Sequence, residues 1–165
     1  MTLDARLLVQ LAANLTSSLD LTTVSAPLNW ARQLNLADGA GAGQANRLWS
    51  DTRTVAGSAT DSLDLAGSLT DPFGQALTFA RIKGLIVAAR TTNTTDVRIT
   101  RPASNAVPLL SAAGYIPVTP GGLFVWFDPS AAGVVVTAGT GDLLDAVNSG
   151  GTAATYDVVI IGAAS

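Results

Sequence analysis

The chain contains no cysteine, no histidine and no glutamate, and Lys83 is its only lysine. Without cysteine there are no disulfides, thiolate metal sites or thiol nucleophiles. Without histidine as well, serine triads and zinc sites lose essential members. All twelve acids are aspartate, and only 13% of the 165 residues are charged against 48% apolar. Soluble domains carry about 25% charged residues. So few ions cannot dress the whole surface of a solitary domain, and the expectation is that other subunits cover part of it.

The missing glutamate bears on the fold. Glutamate forms helices well, whereas Asp, Asn, Ser, Thr and Gly favour caps and turns. Thr and Val are plentiful and suit pleated sheets. Composition therefore points to an all-β chain, long enough for one domain with a real core. The formal net charge of −3 leaves no basic footprint for nucleic acid. The positive residues never form a block and stop at Arg101. Mean hydropathy is high, at +0.38, but apolar runs such as Leu85–Ala89, Gly133–Val136 and Val158–Ala164 fall far short of the roughly 20 residues a spanning helix needs. No secretory leader is evident, and neither a membrane nor a nucleic acid is expected as a partner.

Leu3, Leu7, Leu8, Leu11 and Leu15 fall on one helical stripe, which predicts a short helix over 3–15. The alternative is an N-terminal arm, residues 1–16, that orders on a partner, with a single β-sandwich over 17–165. From Ser17 the period changes to two. Ser18–Leu21 reads as a half-buried strand. Leu28–Leu36 alternates more clearly, with Leu28, Trp30, Leu34 and Leu36 on one face. Leu48–Val55 reads as a strand with Trp49, Asp51, Arg53 and Val55 sharing a face. Ala76–Ala89 predicts a central strand with a bulge near Gly84, a helix over Leu77–Val87 being the rival. Further strands are expected near 96–100, 107–110, 115–118, 123–127, 133–137, 143–147 and 155–162. Turn signals divide them, among them Pro120-Gly121-Gly122 and Asn148–Gly151. This spacing marks an antiparallel β-sandwich, jelly-roll or β-tulip-like.

Several motifs invite a chemical reading. Gly39-Ala40-Gly41-Ala42-Gly43 has the glycines of a phosphate cradle, but neither nucleotide fingerprint spacing nor a following Lys-Ser/Thr, and it reads as a loop. Asp20, Asp64, Asp142 and Asp145 lie beside leucines without a protease triplet or a regular calcium loop, and read as turn and strand-end residues. Asn14 and Asn93 match the short glycosylation pattern, which Thr-rich chains meet by chance. No metal, cofactor or catalytic residue is expected. Trp30, Trp49 and Trp126 are the large aromatic anchors, for core, subunit interface or stacked sugar.

The segments Gln44–Arg53, Asp64–Gly67, Asp71–Gly74, Phe79–Lys83, Pro120–Gly122 and Tyr156–Gly162, in this order, resemble virion structural proteins of tailed bacteriophages, of the head-decoration or cement type. The resemblance spans residues 44–162 and rests on turn and strand signatures. It implies a β-sandwich bound outside a capsid, commonly a homotrimer, with an N-terminal arm over the major capsid protein. On that reading Leu3, Leu7 and Leu11 of the arm, with Trp30, Trp49 and Trp126, are the interface residues. A tail, neck or fibre-base component and a carbohydrate-binding module on the virion are the alternatives.

Overall fold

Alternating side chains from two antiparallel sheets meet to form the core, as the period-two patterns require. A computed structural model describes residues 2–164. The strands are β1 (Ala5–Ser18), β2 (Thr23–Asp38), β3 (Gln44–Ala45), β4 (Arg47–Val55), β5 (Thr60–Asp64), β6 (Leu69–Thr70) and β7 (Ala76–Leu77). They continue as β8 (Arg81–Ala89), β9 (Val97–Thr100), β10 (Tyr115–Val118), β11 (Leu123–Phe127), β12 (Val134–Val135), β13 (Leu143–Asn148) and β14 (Ala154–Ala163). One sheet runs β11-β8-β14-β4, with β12 also paired to β8; the other runs β10-β9-β13-β5. The all-β antiparallel sandwich is the fold read from composition and turn spacing.

Ile82, Leu85 and Val87 of β8 face Ile99 of β9 and Leu144 of β13 across this core, joined by Tyr156, Val158 and Ile160 of β14. Inward residues of β8 switch from an even position, 82, to odd positions, 85 and 87. A regular strand cannot do this, because a one-residue slip turns every side chain over. The register resolves it: Ile161 pairs with Gly84 but Gly162 pairs with Ile82, leaving Lys83 as the extra residue of a bulge. The expected bulge near Gly84 is therefore present one residue away, and β8 is a central strand rather than a helix. The strand expected over Ala76–Ala89 is shorter, however, since residues 76–77 form β7, paired with β6 in a separate two-stranded sheet.

Three expectations are corrected. Residues 5–18 form strand β1, not a helix. Ser18–Leu21 is not a half-buried strand: β1 ends at Ser18, and the chain reverses there through a turn in which the Leu19 N–H donates to Thr22 O at 2.8 Å. Residues 107–110 hold no strand, and the neighbouring pairing is an isolated bridge from Ala106 to Leu143; Pro108 withholds a ladder donor.

β1 and β2 pair along their whole length, from Ala5 opposite Leu36 to Ser18 opposite Thr23. Fourteen residues at about 3.3 Å each make a ribbon roughly 45 Å long. Its base is anchored by a second, smaller cluster on the outer face of the β8 sheet. There Leu36, Ala45 and Ile161 are buried, with Leu3, Ala5, Leu48 and Phe127 packed around them. Gly84 makes this seat possible: a Cβ on it would lie 2.6 Å from both Ile161 and Phe127 side-chain atoms. Gly84→Ala is expected to cost about 1–2 kcal/mol by overpacking, read in urea denaturation, with Phe127 displaced; an unchanged midpoint would count against the seat as described.

Candidate functional site

Cross-strand partners on an antiparallel ribbon share a face. One face of the β1–β2 hairpin carries the pairs Leu7–Leu34, Leu11–Trp30 and Ala13–Leu28. It continues with Leu15–Ala26, Ser17–Val24 and the pair Val9–Arg32. Arg32 is its single charge. The opposite face is mostly polar, with Arg6–Asn35, Gln10–Ala31, Asn14–Pro27 and Thr16–Ser25. The ribbon is thus amphipathic, yet residues 8–33 are exposed on both faces. Leu15 is 77% exposed, Leu28 51% and Trp30 51%. Monomers rarely leave an apolar strip of several hundred Å² open to water, and a two-stranded ribbon is marginal without a covering layer. This face is the strongest functional feature among the described residues.

The structure brings together only part of the expected interface set. Leu11 and Trp30 are direct cross-strand partners, and Leu7 lies on the same face nearer the base. Leu3 is half-buried in the basal cluster. Trp49 is buried in the sandwich core at 5% exposure, so it presents no surface to a partner. Trp126 is half-buried against the same core, on edge strand β11. The expectation that Leu123–Phe127 is covered on both faces is met only in part: Phe124 and Trp126 face the main core, Phe127 the basal cluster, and Leu123 is 66% exposed. Trp30, 51% exposed, stands on the open face of the ribbon.

What holds the hairpin to the body was missed by sequence reasoning. Lys83 is fully buried. The bulge aims its side chain at the loop after β2, where Nζ donates to Ala40 O at 3.2 Å, Gly41 O at 2.5 Å and Gln44 O at 2.9 Å. All three ammonium hydrogens are satisfied by backbone carbonyls. The glycine-rich loop therefore turns carbonyl oxygens inward onto a cation, the opposite polarity to N–H groups cradling a phosphate. Gly43, at φ 66°, takes the left-handed turn that closes it. Burial holds the Lys83 ammonium below its ordinary value; Arg81 adds to this and Asp128 opposes it. A lone lysine inside the most apolar stretch was the available signal.

A second polar network joins the two sheets. Arg53 of β4 donates to both carboxylate oxygens of Asp61 on β5, at 2.5 and 2.7 Å, and the Tyr156 hydroxyl donates to the same carboxylate at 2.7 Å. The Arg53 hydrogen bond, helped by that from Tyr156, holds the Asp61 carboxyl below its ordinary value against the opposing effect of burial. Burial, then the bond to Asp61, pushes the Tyr156 phenol up. With every partner satisfied, the group reads as a cross-sheet staple.

The aspartates singled out above serve local structure. Asp64 accepts from the Ala66 N–H, Asp142 from Gly139 N–H and Asp145 from the Ser62 hydroxyl. Asp20 lies at the hairpin tip. The Asn93 side-chain amide is engaged by Thr155 of β14 on both sides. Among the described residues no three acids gather as a metal-holding group. A cleft of about 260 Å³ lies beside the hairpin base, between Leu3, Leu48 and the exposed Phe73. Comparison of the chain with protein-family profiles, with curated proteins and with solved structures finds no match.

Proposed function

We propose that this chain is an assembly subunit, a non-enzymatic structural protein whose activity is to bind other protein surfaces in a repeating shell. The observation that carries the reading is the hairpin: a long, ordered ribbon with one unpartnered apolar face, fixed at its base by Lys83 and the Leu36 cluster. Such a device suits docking. The low charge of the chain supports the same reading, because a surface covered by neighbours needs few ions.

Within that class, the bacteriophage resemblance over residues 44–162 favours a head-decoration protein on the capsid exterior, bound to the major capsid protein and self-associated, as a trimer in that family. The arm that the resemblance implies is then the β1–β2 hairpin as a whole, since residues 1–16 end inside β1. Repetition over a shell lets individually weak contacts add through multivalency.

The test is direct. Purified chain is mixed with shells of the major capsid protein encoded in the same genome, and bound protein is located by electron microscopy. Saturable, regularly spaced density on the outer surface is expected. Absence of binding, or density confined to tails in whole virions, would overturn the decoration reading.

A further inference from the structure

We infer that the apolar face of the hairpin is covered by the hairpin of a second copy of this chain, packed face to face and antiparallel. This rests on reading the hairpin as the assembly element and names its partner.

Area is the first argument. The open part of the ribbon, residues 8–18 paired with 23–33, is about 36 Å long and two strands wide, roughly 10 Å, a footprint of about 360 Å². Two such faces hide about 700 Å², more once side-chain relief is counted, the size of a weak, concentration-dependent pairing. An identical ribbon matches that strip in length along its whole extent.

Charge decides the direction. Among residues 8–33, the open part of the hairpin, the only charged residues are Asp20 and Arg32. Arg32 lies toward the base on the apolar face and Asp20 lies at the tip; Arg6 is on the opposite face, and Asp4 and Asp38 flank the base. Parallel packing would set Arg32 beside Arg32 and Asp20 beside Asp20. Antiparallel packing brings Arg32 of each ribbon toward Asp20 of the other, within reach of a long arginine side chain.

Shape agrees. A two-fold centred on the Ala13–Leu28 pair places Trp30 of one copy over Ala26 of the other, large upon small, and Ala13 opposite Ala13. Pro27 favours the face over the edge. A proline fits inside a regular ribbon only where its missing N–H would point outward, so the free edge of β2 lacks a donor for strand addition at that point.

The chain has no native cysteine, so single engineered cysteines give clean crosslinks. Sedimentation of the full chain without any shell is expected to show a concentration-dependent paired species. Trp30→Asp, at an exposed position, is expected to weaken it about 30-fold or more. Arg32→Asp or Asp20→Arg alone should weaken pairing about 2–5-fold, and the double reversal should restore it. Ala13→Cys should crosslink to itself on oxidation, whereas Leu7→Cys should not. A chain that sediments as an unpaired monomer overturns the inference, including one that instead floats with phosphatidylcholine vesicles or docks on shells singly. So does Leu7→Cys crosslinking as readily as Ala13→Cys, or an oligomer that Trp30→Asp leaves intact. Pairing is measured without shells, so it can fail while shell binding holds, and shell binding can fail while pairing holds.

Discussion

Lys83→Met is expected to lower the unfolding free energy by about 2–4 kcal/mol and to free the base of the hairpin. The substitution keeps the apolar stem and removes the ammonium. Three backbone carbonyls, of Ala40, Gly41 and Gln44, then lose their donor together. Hydrogen bonds to a charged group contribute about 1.5–3 kcal/mol each. Relief of the burial cost of the cation offsets part of that loss, which is why the expected net is well below the sum of three. The effect should be local first. Amides of residues 39–44 should exchange faster, among them Gly43, whose N–H donates to Pro129 O at 2.7 Å. Denaturant titration and hydrogen exchange read the two effects. A stability within about 0.5 kcal/mol of the parent, the range of ordinary surface changes, would remove Lys83 from the account of how the hairpin is held.

Asp61→Ala is the second large effect, about 2–3 kcal/mol. Breaking a buried ion pair costs about 3–5 kcal/mol, but the Arg53 side chain is 32% exposed and can recover some hydration. The fully buried Tyr156 hydroxyl cannot: it is left without an acceptor. The network also sets a pH window. The Asp61 pKa is depressed in the fold below its ordinary 3.8, so its stabilisation is fully present above that value and lost as pH falls through the folded pKa. The Tyr156 pKa is raised above its ordinary 10.0, so its stabilisation is present below that value and lost as pH rises beyond it. Stability from this group should be flat between these limits and fall outside them. Tyr156→Phe should remove the alkaline fall and leave the acid one. Urea titrations across pH decide it; an alkaline limb that survives in Tyr156→Phe would assign that limb to other groups.

Several elements could be read directly from residue order. The alternation from Leu28 to Leu36 became β2 with the expected residues on one face, because a period of two has no helical equivalent over nine residues. Residues 3–15 misled for an arithmetic reason. Leu7, Leu11 and Leu15 are spaced by four, which is close to one helical turn and also an even number. A helix and a strand therefore both put them on one face. The choice fell to β2, which supplies a ladder partner for every residue of β1. The tip, Leu19-Asp20-Leu21-Thr22, carries none of the Asn-Gly or Asp-Gly turn chemistry that announces a hairpin, so the pairing was not visible locally.

The interface residues divide in the same way. Leu11 and Trp30 look unrelated along the chain, nineteen positions apart, and become neighbours only through strand register. Trp49 looks like an anchor by type, but its β4 face points into the sandwich with Val55. Residue identity says that an aromatic will be covered by something; it does not say whether by the chain's own core or by another molecule.

Residue order by itself determined the all-β class, the sandwich, most strand positions and the absence of the groups needed for thiol or histidine chemistry. These follow from composition and local periodicity, which act within a few residues. Tertiary structure decided that residues 5–38 form a projecting ribbon, that its apolar face is left open, and that a solitary lysine ties its base to the body. These depend on pairing and burial between segments far apart in the chain, and no local pattern encodes which distant partner a face will meet.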